Sequence, residues 1–189
     1  DAMQNSVPKG EGGMVAVLGT TVENIEKILN DNKNDFVAEI ANDNSEGQMV
    51  LSGKTQDLEK LSLVFKENKI KNIKLPVSAP FHCKLMNPAT EIMKKEIMNS
   101  NFISPNNSII SNVTAKPTKD PDEIKNLLIE QIEKPVRWRE SVINMINSKV
   151  EKFIEIGPGK VLSGIVKRID RNVTINQVNG IEDMSILSK

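Results

Sequence analysis

The chain reads as an α/β protein in two parts, on three observations. Short extended apolar runs alternate with helical periodicities along most of its 189 residues. Residues 12–78 follow the order βαββαβ. Beyond residue 79, strand signals alternate with helices instead of pairing as hairpins, which predicts a mostly parallel sheet covered on both faces. Such a sheet places ligands at the carboxyl ends of its strands.

The elements follow in order. Residues 1–11 open with Asp1-Ala2-Met3-Gln4, without an initiator methionine or a cap signal, as the end of a helix and a linker would. Gly12-Gly13 leads into the strand Met14-Val15-Ala16-Val17-Leu18. Thr20-x-x-Glu23 reads as a capping box before Val22, Ile25, Ile28 and Leu29 at helical spacing. Phe36, Ala38 and Ile40 alternate with Val37 and Glu39. The turn-rich Asn42-Asp43-Asn44-Ser45-Glu46-Gly47 follows, and Gln48-Met49-Val50-Leu51 completes a hairpin. Thr55 caps a helix carrying Leu58, Leu61, Val64 and Phe65, after which Ile70, Ile73, Leu75 and Val77 extend again. This is the split pattern of a ferredoxin-like unit, although a larger mixed sheet with these elements added has the same order.

In residues 79–189, Asn87-Pro88 reads as an N-cap and first-turn proline for a helix to Asn99. Ser108–Thr114 is a strand, and Asp120-Pro121-Asp122-Glu123 opens a helix to Lys134 with cap, proline and acids together. A helix over about Val136–Asn147 follows Pro135. Phe153, Ile154 and Ile156 form a strand ending at Gly157-Pro158-Gly159, Lys160–Asp170 is a helix, and Val173–Val178 a short strand.

Composition narrows the function classes. Twenty-five basic and twenty-five acidic side chains cancel and are well mixed, which argues against nucleic acid as the main ligand. One cysteine makes no intrachain disulfide, and with a single histidine it makes no zinc site, so no metal is expected. The longest apolar run, residues 14–18, is too short to span a bilayer. The abundance of Asn, Lys and Ile suits an AT-rich genome.

The lone histidine, His82, stands beside the lone cysteine in Ala79-Pro80-Phe81-His82-Cys83, just past an extended run. Histidine titrates nearest physiological pH, so His82 is the first candidate for general acid/base work. Packed against Phe81 and Leu85, it is equally readable as a core residue. Adjacent side chains diverge, so His82 and Cys83 are no nucleophile pair, and no serine sits in G-x-S-x-G. Gln131 falls on the stripe of Ile124, Leu127 and Leu128, where a core side chain was due, so its amide either satisfies the fold or faces a polar cavity. Asn42 and Asn44 line a cleft or simply form the turn. Gly157-Pro158-Gly159-Lys160 lacks the spacing of a P-loop and reads more readily as a tight turn than as a phosphate cradle. Arg137, Arg139, Lys160, Lys167 and Arg168 make a small basic face or ordinary solvated surface.

Four ordered motifs together resemble the malonyl-CoA:acyl carrier protein transacylases of dissociated fatty acid synthesis. They are Asn44-Ser45-Glu46-Gly47-Gln48-Met49-Val50-Leu51-Ser52-Gly53, Val77-Ser78-Ala79-Pro80-Phe81-His82-Cys83-Lys84-Leu85-Met86, Pro135-Val136-Arg137-Trp138 and Glu155-Ile156-Gly157-Pro158-Gly159-Lys160-Val161-Leu162. The resemblance implies an α/β-hydrolase-like large subdomain with an inserted ferredoxin-like small one. Residues 1–11 would then end a large-subdomain helix, 12–78 form the small subdomain and 79–189 complete the large one. It implies a serine that takes malonyl from coenzyme A as an ester and passes it to the phosphopantetheine thiol of acyl carrier protein. His82 matches the catalytic histidine, Gln131 the residue whose backbone carbonyl orients it, and Asn42 and Asn44 fall along the substrate cleft. Malonyl-CoA and acyl carrier protein are the implied partners, coenzyme A enters only as the substrate thioester with no resident cofactor, and the complete enzyme is expected to be a monomer. Its place is the cytoplasm if bacterial, or a plastid in a eukaryote with an AT-rich genome.

The family's serine elbow, oxyanion loop and malonyl-binding arginine all lie upstream of Asp1. The chain is thus expected to represent the carboxyl-terminal two thirds of such an enzyme and to be inactive alone. The competing class is a noncatalytic module that binds acyl carrier protein or another partner.

Overall fold

In the computed structural model, which describes residues 2–3, 5–77 and 79–188, the first apolar run becomes β1 (Gly12–Leu18), a central strand of a four-stranded sheet. Ser78, where the two expected parts meet, lies outside the described residues, as do Asp1, Gln4 and Lys189. After α1 (Val22–Asp31) come β2 (Ala38–Ser45), β3 (Gln48–Lys54), α2 (Thr55–Glu67) and β4 (Lys71–Lys74). The sheet order is β2-β3-β1-β4, with every neighbouring pair antiparallel. The β2–β3 turn is Glu46-Gly47, and Gly47 takes φ +70°, a left-handed conformation in which a glycine meets no Cβ clash.

Strand alternation divides the apolar residues between two faces. Val15, Val17, Met49 and Leu51 point to the helices and pack with Ile25, Ile28, Leu58, Leu61 and Phe65. On the opposite face Met14, Ala41 and Val50 are buried beneath Leu75 and Phe81. The second face thus meets the segment carrying His82.

The caps differ in detail from the sequence expectation. Thr21, not Thr20, is the N-cap of α1 and accepts from Asn24 N at 3.2 Å, while Thr20 bonds the Asn24 side chain. The Thr55 hydroxyl donates to Gly10 O at 2.8 Å instead of capping α2. A 3-10 turn, Lys84–Met86, runs into α3 (Asn87–Asn99), so Asn87 is already helical.

Beyond α3 the chain forms a short hairpin of β5 (Ile109–Ile110) and β6 (Pro117–Thr118), then α4 (Pro121–Glu130) and α5 (Trp138–Asn147). β7 (Lys152–Ile156), α6 (Val161–Ile169) and β8 (Thr174–Val178) follow, and a 3-10 segment spans Ile181–Ser188. The strand expected over Ser108–Thr114 shrinks to two residues. From Ser111 the chain turns back, with Ala115 N bonding Ser111 O at 2.8 Å and Ala115 at φ +56°. Among the described residues only β7 and β8 pair in parallel as named strands, so the expected mostly parallel sheet is present as that pair. One edge of β7 pairs with no strand among the described residues, and Ile156 is 73% exposed. Asp120 caps α4 as expected, accepting from Asp122 N and Glu123 N. Among the described residues no helix is long and apolar enough to cross a membrane.

Candidate active site

The loop from Ala79 to Met86 is tied to its surroundings residue by residue. The Ser52 hydroxyl, on β3 and 0% exposed, donates to Phe81 O at 2.5 Å. A Cβ added to Gly12 on β1 would stand 2.5 Å from Pro80 Cδ and Cγ, so the glycine allows the two backbones to approach. Cys83 Sγ donates to Pro80 O at 3.1 Å, and Lys84 N donates to Glu39 Oε1 at 3.0 Å. Burial pushes the Cys83 thiol up to about 11, so it stays protonated and is no nucleophile. His82 between these anchors is half-buried and left-handed, at φ +60°. That region is costly for a residue with a Cβ and persists where the surroundings over-determine it.

His82 Nδ1 lies 2.7 Å from the backbone carbonyl oxygen of Gln131. A carbonyl only accepts, so this geometry puts the proton on Nδ1. Nε2 has no hydrogen-bond partner among the described residues and remains an acceptor. The carbonyl is free for a reason written in the sequence. In a continuing helix it would accept from the amide of residue 135, but that residue is Pro135, which has no N–H. Accordingly α4 ends at Glu130, Gln131 is its C-cap, and the helix expected to reach Lys134 gives way to a turn. Gln131, still helical in its backbone angles, lines a cavity with Ile124, Leu127 and Leu128, as its spacing suggested, while Ile132 packs in the core with Met86 and Ala89.

Segment 135–137 straps the site to the small sheet. Val136 N donates to Ala41 O at 2.8 Å and Asp43 N to Val136 O at 3.0 Å, a parallel bridge on the outer edge of β2. This moves the start of α5 from the expected Val136 to Trp138. The Arg139 guanidinium clamps both carboxylate oxygens of Asp43, with Nε at 3.0 and 2.9 Å, which raises the arginine pKa further. The expected site residues therefore divide. His82 and Gln131 touch. Asn42 is joined to their neighbourhood through the bridge to Val136, and its register opposite Val50 puts it on the sheet face that meets Phe81. Asn44 lies in the β2 irregularity before Ser45 and shares no hydrogen bond with His82 or Gln131.

Sequence reasoning missed Ser52, the Asp43–Arg139 pair and Asn112, whose Nδ2 donates to Gln131 Oε1 at 3.2 Å. Each acts across long sequence separation, and no local pattern signals such a bond. The glycine turn after β7 does not offer a phosphate cradle. Glu155 already occupies the N-terminus of α6, accepting from Leu162 N at 3.1 Å and Ser163 N at 2.7 Å. Its carboxyl is held below the usual range by the Ser163 side chain first and then by these amides. Among the described residues no three His, Cys, Asp or Glu side chains converge as metal ligands would.

No protein-family model matches the chain. The malonyl CoA-acyl carrier protein transacylase of Bacillus subtilis is 39% identical over 186 residues, 97% of this chain and 59% of its own length. A solved transacylase of the same name from Clostridium perfringens superposes with a TM-score of 0.93 at 42% identity, covering 99% of this chain and 59% of that one. A malonyl-transacylase solved in complex with a type II PKS acyl-carrier protein gives 0.92 at 30% identity, over 100% of this chain and 62% of that one. The chain thus spans about three fifths of the relatives it matches. In sequence and in fold, the chain is similar to the malonyl CoA-acyl carrier protein transacylases over what corresponds to their carboxyl-terminal part.

Proposed function

We propose that this chain supplies the histidine half of a malonyl transfer site: the complete protein moves malonyl from coenzyme A to the thiol of acyl carrier protein. The observation that carries the reading is the 2.7 Å contact of His82 Nδ1 with the Gln131 carbonyl, which leaves Nε2 as the basic nitrogen. In the first half-reaction a serine oxygen forms a bond to the malonyl carbonyl carbon. His82 Nε2 takes the serine proton, the carbon–sulfur bond breaks, and the proton passes to the leaving thiolate of coenzyme A. In the second half the carrier thiol gives its proton to Nε2 and its sulfur bonds the ester carbon; the bond from that carbon to the serine oxygen breaks, and the proton returns to the serine oxygen. The carbonyl of Gln131 orients the ring throughout. Coenzyme A is a substrate in this scheme, and no resident cofactor is required.

In the same reading the βαββαβ block 12–78 is a ferredoxin-like subdomain beside an α/β-hydrolase-like one. The antiparallel sheet order β2-β3-β1-β4 supports the first of these. Asn42 and Asn44 line the cleft between the two. The complete enzyme works as a monomer, in the cytoplasm if bacterial and in a plastid if from a eukaryote with an AT-rich genome. No serine of this chain stands in G-x-S-x-G, so the 189 residues alone form no malonyl ester.

The test uses a protein that joins this chain to an upstream segment bearing the serine. His82→Ala is expected to lower malonyl-enzyme formation by roughly 10² to 10⁴ with thermal unfolding unchanged. If activity instead falls only in step with stability, and His82→Gln restores both, the histidine is packing and the reading fails.

A further inference from the structure

We propose that Asn112 is a positioning residue for His82: through Gln131 it fixes the tautomer that carries its proton on Nδ1 and leaves Nε2 free. The tautomer follows from geometry alone, and its use as a base rests on the function proposed above. A carbonyl holds a ring in one orientation only if its own peptide is held. The Gln131 peptide follows the last residue of α4, and among the described residues no backbone amide donates to its oxygen. Helix ends of this kind fray. The N–H end of this peptide is tied by Ile132 N to Ile129 O at 3.3 Å, and the side chain adds the tie that sets its aim, with Oε1 accepting from Asn112 Nδ2 at 3.2 Å.

Asn112 is itself held through its backbone. Its carbonyl accepts from Arg137 N at 2.9 Å, and the loop around it closes on Ser111 O and Lys116 O. Two α5-side donors grip that loop from outside, Asn144 Nδ2 on Ala115 O at 3.0 Å and Arg137 Nη1 on Val113 O at 3.2 Å. The Gln131 side chain is thus referred to α5 through one pair of side-chain amides. A residue that merely closed the β5–β6 loop would not need its amide on Gln131.

The single histidine makes the test direct. In a tag-free, nitrogen-labelled sample at a pH where the ring is neutral, long-range proton–nitrogen correlation shows one pair of ring nitrogens, and their shifts report the tautomer. The native chain is expected to show a protonated Nδ1. In Asn112→Ala the two resonances should move toward the mixture given by free histidine. Asn112→Asp, to which Gln131 can turn its amide NH₂, should restore the native shifts. Native shifts in a folded Asn112→Ala overturn the proposal, as does failure of Asn112→Asp to reverse the change. If Asn112→Ala does not fold, Gln131→Ala carries the same test, since it keeps the carbonyl and removes only Oε1; native shifts there overturn the proposal equally. Acyl transfer has no part in this readout. A shifted tautomer together with full activity of His82→Ala in the completed enzyme would remove the catalytic reading and leave the positioning one standing.

Discussion

Replacing Ser52 by alanine removes one oxygen atom from a site with no access to water. The hydroxyl is 0% exposed and donates to Phe81 O at 2.5 Å, so its loss leaves that carbonyl without this partner and adds almost no cavity. An unsatisfied buried acceptor costs about 1 to 3 kcal/mol. For a chain of this size each kcal/mol lowers the melting temperature by about 2 to 4 °C, so Ser52→Ala should melt roughly 2 to 12 °C below the native chain. Ser52→Cys, which keeps the volume and a weaker donor, should fall between the two. Circular dichroism on heating, with a urea titration to check that the slope is unchanged, measures both variants. The Phe81 peptide is the one that enters His82, so the same loss should also be felt at the histidine ring. A Ser52→Ala chain that melts within about 1 °C of the native one would refute the reasoning, because the carbonyl would then have found water or another donor.

Further outcomes are expected elsewhere around the site. Gly12→Ala puts a Cβ 2.5 Å from Pro80 and should cost about 1 to 3 kcal/mol, read as a lower urea midpoint; an unchanged midpoint would show that Pro80 moves freely. Cys83, buried with its thiol pushed up to about 11, should alkylate at least ~100-fold more slowly than free cysteine until the chain unfolds; rapid labelling of the folded chain would contradict its burial. Glu155 has a folded pKa below its ordinary value of 4.5, so its stabilisation is present above that value and lost as pH falls through the folded pKa. Glu155→Gln should therefore cost about 1 kcal/mol near neutrality and progressively less in acid; a gap from the native chain that widens in acid would reverse the sign.

What could be read from sequence was what period and punctuation encode. The alternation of Met14 to Leu18, the helical spacing of Leu58, Leu61 and Phe65, and the Glu46-Gly47 turn are local signals, and the four-stranded sheet follows them. The loss of the expected strand at Ser108–Thr114 was not legible, because Ile109 and Ile110 look like strand residues while the turn after them is closed by Ser111, Ala115 and Lys116 backbone groups. The boundary at Gln131 was misplaced for a similar reason. The apolar stripe of α4 continues through residue 131, while the helix is stopped by a proline four positions later. Around the candidate site, the unusual residue types drew the eye: a lone histidine, and an amide on an apolar stripe. The supports were invisible, since Ser52 and Asn112 are ordinary polar residues whose partners lie 29 and 19 positions away.

The acceptor that Pro135 frees for His82 has a consequence for how the pair tolerates change. A histidine held by a carboxylate loses its partner in acid and feels added salt, because that partner titrates and carries charge. A peptide oxygen does neither. It is also not spelled by any codon: all twenty residues at position 131 would present the same oxygen, and only its aim is left to the side chain. The residue whose identity secures the partner is Pro135, through the amide proton it lacks. In a library of single substitutions, position 135 should therefore be sensitive although the histidine bonds to residue 131, and position 131 should be sensitive only through the side-chain tie that aims its oxygen.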